Sequence, residues 1–67
     1  MLRFKKGDLV EVKEPLLERP YDKTVILRGI VMDNTPQDFT FAKVYIYNRG
    51  IVEYFYVNNI TVASPRS

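Results

Sequence analysis

The residues able to do chemistry are few. Carboxylates Glu14, Glu18 and Asp22 fall within one short stretch, each beside a cation such as Lys13, Arg19 or Lys23. Such a cluster can bind a metal or move protons, but in a proline-containing segment with alternating charge it reads as a solvated loop. Asp33, Asn34 and Asp38 flank a turn, and turn hydrogen bonding accounts for them without a metal. The chain holds no His, the usual acid–base group at neutral pH, and no Cys for a thiolate, a disulfide or a soft metal site. Ser64 and Ser67 have no base nearby, and no glycine-rich phosphate loop is present. We therefore expect no enzyme, no catalytic residue and no cofactor or metal.

Two other residue sets suit binding. Ile30, Met32, Tyr45, Tyr47, Ile51 and Phe55 are the apolar and aromatic types that anchor protein interfaces. Arg3, Lys5, Lys6, Lys13, Arg28 and Arg49 form a basic set for phosphates, with Tyr45 and Tyr47 able to stack on bases of RNA or another single strand. The net charge of +2 is low for a dedicated nucleic-acid binder, and Asp8, Glu11 and Glu14 dilute the basic N-terminus.

At 67 residues the chain has room for a single domain, 1–67. With 46% hydrophobic residues, 27% charged residues, five tyrosines and four phenylalanines, it has the composition of a globular chain. A chain this small buries only about 60% of its unfolded surface, and association with a second copy is one aid its composition permits. No apolar run is long enough to span a membrane, and Met1–Lys6 lacks the apolar stretch of a signal peptide, so a cytoplasmic location is expected.

These side chains must be positioned by strands, because hydrophobic spacing has period two almost throughout. Lys6-Gly7-Asp8 predicts a turn and Leu9–Lys13 a first strand, with Leu9 or Val10 turning inward beside Val12. Pro15 and Pro20 make Glu14–Thr24 a long loop. Val25–Asp33 predicts a second strand, bent or bulged at Gly29. Asn34–Asp38 predicts a turn, Phe39–Tyr47 a third strand, Asn48-Arg49-Gly50 a three-residue hairpin loop and Ile51–Val57 a fourth strand. Asn58-Asn59-Ile60 predicts a 3₁₀ turn, Thr61–Ala63 a last strand, and 64–67 a frayed tail.

The three-residue loop would set Tyr47 opposite Ile51 and Val44 opposite Tyr54. One face then carries Ala42, Val44, Ile46, Val52, Tyr54 and Tyr56, without a charge. The other carries Lys43, Tyr45, Tyr47, Ile51, Glu53 and Phe55, with Lys43 and Glu53 diagonal to one another. Burying an unpaired charge costs several kcal/mol, so the uncharged face is the expected core and the aromatic face the expected surface. A slip of one residue would invert this assignment.

The order KKGDLVEVKEP, loop, LRGIVMD, turn, AKVYIYNRGIVEYFY, VNNITV resembles a five-stranded SH3-like barrel. The resemblance rests on Gly7-Asp8 with Val10, the Gly29–Val31 bend, the hairpin at Gly50 and the 3₁₀ turn before Thr61-Val62, and it spans nearly the whole chain. Tyr47–Tyr54 and Asn58–Ile60 look most like short SH3-like proteins of tailed phages, which implies residence in a host cytoplasm. Eukaryotic peptide-binding SH3 domains need a Trp and a Pro lining a groove for polyproline ligands. Here there is no Trp, and Tyr56 stands where that Pro would be. KOW-type domains share the Gly-Asp-x-Val opening but carry a Gly- and Lys-rich loop where this chain has EPLLERPYDK. The resemblance thus implies a small binding module, either for a protein or a second copy of itself, or alternatively for RNA or single-stranded nucleic acid.

Overall fold

In a computed structural model, residues 1–15 and 24–63 are described. Most of the expected long loop, with Glu18, Arg19 and Asp22, and the expected tail 64–67 lie outside the described residues.

The described chain is all-β apart from one 3₁₀ turn. The strands are β1 (Leu2–Phe4), β2 (Leu9–Pro15), β3 (Thr24–Val31), β4 (Thr35–Pro36), β5 (Phe41–Ile46), β6 (Ile51–Tyr56) and β7 (Ile60–Val62), with the 3₁₀ turn over Val57–Asn59 just before β7. One antiparallel five-stranded sheet has the order β6-β5-β3-β2-β7, and β1 pairs with β4 in a second, two-stranded sheet. No ladder joins the edge strands β6 and β7, so the large sheet is not closed.

The pleat explains the core. Val10, Val12, Leu27, Val31, Ala42, Val44 and Ile46 occupy one face of β2, β3 and β5, and all are buried. Val12, Val44 and Ile46 are completely buried, covered by the curl of the sheet over that face together with Phe4 of the second sheet. Phe4, Val57 and Ile60 complete the cluster. Val10 turns inward with Val12, and Leu9 turns outward.

Two glycines shape the curl. Gly7 has φ +94° in the turn between β1 and β2, where its amide donates to the Val31 carbonyl. The Asp8 carboxylate accepts the Lys5 amide and the Asn34 side chain accepts the Lys6 amide, so these groups serve the turns. Gly29 makes no bulge against β2, whose ladder runs unbroken from Leu9–Ile30 to Pro15–Thr24. Gly29 serves instead for close approach, since a Cβ there would fall on the Tyr45 carbonyl oxygen of β5.

Several expected boundaries shift. β2 and β3 extend to Pro15 and Thr24, because pairing continues into the expected loop, and β3 ends at Val31 rather than Asp33. β5 starts at Phe41 rather than Phe39. The expected Asn34–Asp38 turn contains β4, which pairs with the N-terminal β1, a strand the sequence pattern did not signal.

The largest correction is in the β5–β6 hairpin. Its loop has four residues, Tyr47–Gly50, and the pairs are Ile46–Ile51, Tyr45–Val52, Val44–Glu53, Lys43–Tyr54, Ala42–Phe55 and Phe41–Tyr56. Relative to the three-residue loop, β6 has slipped by one residue and its faces are exchanged. Tyr47 stays bonded to β3, donating its amide to the Arg28 carbonyl, and the Ile46 carbonyl accepts the Arg49 and Gly50 amides to close the wider loop. Gly50 does adopt the left-handed conformation, with φ +66°.

Candidate interaction face

The outward face of the curled sheet is laid out by three ladders. Leu9, Ile30, Tyr45 and Val52 form one row across β2, β3, β5 and β6. Beside it lie Met32, Lys43 and Tyr54, since the Met32 amide donates to the Lys43 carbonyl. Phe41 and Tyr56 form the next row, their rings in an edge-to-face contact at 6.3 Å. Tyr54 is 68% exposed, Phe41 55%, Leu9 47%, Tyr56 45% and Val52 41%. Ile30, Met32 and Tyr45 are half-buried among them. On the far side of the first row, Glu11, Arg28 and Tyr47 end the apolar stretch with a polar rim. Tyr47 is exposed, with its ring edge-on to Tyr45 at 5.6 Å.

The six residues expected to form one outward patch are therefore divided. Ile30, Met32 and Tyr45 share this face, with Tyr47 at its rim. Ile51 stands opposite Ile46 on the inward side, half-exposed at the hairpin end, and Phe55 lies opposite Ala42, packed against the core. Val52, Tyr54 and Tyr56, expected inside, are outside. The one-residue slip produces all of these exchanges.

Glu53 is likewise on the inward side of β6, away from Lys43. It is accommodated because the Arg49 guanidinium reaches both Glu53, at 3.0 Å, and Glu14 of β2, which it holds through two nitrogens. Hydrogen bonds that the guanidinium donates to Glu14 and then to Glu53 raise the Arg49 pKa above its ordinary value, so the residue remains a cation. This cluster ties the end of β2 to the β5–β6 hairpin, two parts of the sheet that share no ladder. Nearby, the Asn48 side-chain oxygen accepts the Arg28 amide at 2.9 Å, completing the pairing of β3 beyond the end of β5.

The basic set is dispersed and largely engaged. Arg3 donates to Asn58, Arg28 lies 3.7 Å from Glu11, and Arg49 is held by two carboxylates. Lys5 and Lys6 are exposed at the Gly7 turn and Lys13 is exposed on β2. A groove of about 330 Å³ runs between Leu9, Glu11, Arg28, Tyr47 and Ala63, over Val10 and Gly29. Among the described residues no three His, Cys, Asp or Glu side chains gather as a metal site, and no helix is long and apolar enough to cross a membrane.

No protein-family model, no curated protein and no solved structure matches the chain.

Proposed function

We propose that this chain is a non-enzymatic interaction module of SH3-like barrel type whose outward sheet face docks onto protein. The fold part of this reading draws support from the meandering order β7-β2-β3-β5-β6 with a 3₁₀ turn before the last strand. The functional part rests on one observation: Leu9, Val52, Tyr54, Phe41 and Tyr56 are exposed on one face, with Ile30, Met32, Lys43 and Tyr45 between them. A largely apolar surface of this kind, with Lys43 within it and further charge at its rim, marks interaction sites on small globular chains. Tyr and Phe dominate it, and these residues bury large areas at low entropic cost.

Engagement of Arg3, Arg28 and Arg49 with partners in their own chain disfavours the nucleic-acid alternative, because phosphate binding would have to compete with those contacts. The double variant Tyr45→Ala/Tyr54→Ala tests the proposal. Loss of an anchoring aromatic costs about 2 kcal/mol of binding, or about 30-fold in Kd. Association with protein, whether self or other, should fall by at least that factor while the far-ultraviolet circular dichroism is unchanged. Unchanged protein association, or tight oligonucleotide binding that weakens steeply with salt, would defeat the reading.

A further inference from the structure

We infer that a second copy of the chain joins antiparallel along the edge of β6 that no other described strand pairs, with Tyr54 opposite its own counterpart and the two outward faces continued side by side; this rests on the docking reading above. The two ends of the large sheet differ. β7 is an edge of three residues, which is itself a protection against pairing, whereas β6 is an edge of six residues, IVEYFY, without Pro, Gly, bulge or Lys. Its one charge, Glu53, points inward, a common safeguard, but here Arg49 of the same chain neutralises it.

The direction of the edge groups follows from the ladder. The Met32 amide donates to the Lys43 carbonyl and the Tyr47 amide to the Arg28 carbonyl, so odd-numbered residues of β5 turn their backbone groups toward β3. Ala42, Val44 and Ile46 therefore bond with Phe55, Glu53 and Ile51. Val52 and Tyr54 turn both N–H and C=O to the open side, and Tyr56 turns its N–H there.

A two-fold axis perpendicular to the sheet keeps outward side chains opposite outward side chains, so paired residue numbers must sum to an even number. Centring the axis on Glu53 would oppose two carboxylates, which is destabilising. Centring it on Tyr54 opposes Tyr54 to Tyr54, Val52 to Tyr56 and Glu53 to Phe55, uses the open backbone groups, and joins the two apolar faces into one. In this register no like charges are opposed when the strand pairs with its own copy, and this self-complementarity is the ground for naming a second copy as the occupant.

The native chain has no Cys, so single cysteines report the register cleanly. Under mild oxidation Tyr54→Cys should form a covalent dimer at least about tenfold faster than Thr61→Cys on β7, because opposed Cα atoms lie within disulfide reach. A mixture of Val52→Cys and Tyr56→Cys chains should form the mixed dimer in preference to either symmetric one. Equal rates for positions 54 and 61, or preferred symmetric linkage at 52, would overturn the assignment. A wild-type chain that stays at 7.9 kDa while Tyr45→Ala/Tyr54→Ala still abolishes binding to another protein would overturn the second copy and leave the docking face standing. Protein association untouched by that double variant would remove both.

Discussion

Gly29→Ala should be the most damaging small substitution in the chain. Gly29 lies where β3 passes from β2 to β5, paired with Val10 on one side and Ile46 on the other. An added Cβ would fall on the Tyr45 carbonyl oxygen and lie 2.8 Å from a Val44 methyl. Real Cβ atoms essentially never come within 3.0 Å of such neighbours, and backbone cannot swing aside as a side-chain tip can. β3 and β5 must therefore separate. Overpacking of this kind costs about 1–3 kcal/mol. Weakening the two bonds exchanged by Ile30 and Tyr45 adds about 1 kcal/mol each, for a total of about 3–5 kcal/mol. A chain of this length has a stability of about 3–10 kcal/mol, so the variant should lose from about a third to all of it. Urea titration followed by circular dichroism measures this directly. Gly50→Ala is the control: it has open space, with the Tyr45 hydroxyl 3.9 Å away, and should lose only the roughly 1–2 kcal/mol of a left-handed non-glycine residue. A Gly29→Ala midpoint within about 0.5 kcal/mol of wild type would refute the close approach of β3 and β5, and with it the alignment of Ile30 beside Tyr45.

Three further outcomes are expected. Ile46→Ala, at a fully buried site, should cost about 2–5 kcal/mol, whereas Tyr54→Ala should stay within about 0.5 kcal/mol in thermal or urea unfolding at concentrations where the chain is a single copy; a large loss at Tyr54 under those conditions would restore the unslipped register. Asn48→Ala removes the acceptor of the Arg28 amide and should lower stability by about 1 kcal/mol, read as a shift in urea midpoint without a change in slope. Arg49→Met should lower the thermal midpoint by an amount that shrinks with added salt. Because the folded pKa of Arg49 is raised, its linked contribution is complete below the ordinary arginine value and is lost only as pH climbs through the folded one, so this deficit should not diminish between about pH 7 and pH 9.

The strand content was legible because period-two spacing is a local signal. Val10, Val12 and Leu27 alternate with charged or outward neighbours, and Ala42, Val44 and Ile46 alternate with Lys43 and Tyr45 and lie inside as expected, although Glu53 shares their side of the sheet. The face of β6 was not legible. IVEYFY alternates apolar residues on both sides, so the pattern alone does not choose its register, and the choice fell to loop length. That length depends on Tyr47 and Asn48 bonding to Arg28 on β3, a contact between residues distant in sequence. The charge argument that placed Glu53 outside was sound for an unpaired carboxylate. It failed because Arg49 and Glu14 reach Glu53's side of the sheet only once the sheet has curled. β1 and β4 are too short, at three and two residues, for periodicity to reveal them. On the outward face, the placement of Ile30, Met32, Tyr45 and Tyr47 was legible in the sequence, while that of Leu9, Val52, Tyr54 and Tyr56 required the ladders.

The outward face as a protein-docking surface is tested most directly by light scattering of the purified chain over a wide concentration range, at low and high salt, beside the Tyr45→Ala/Tyr54→Ala variant. The expected result is a wild-type mass rising above 7.9 kDa with concentration, insensitive to salt, and a variant that remains at the mass of one chain. A variant that associates as strongly as wild type, or an association that high salt abolishes, would contradict docking through this apolar face.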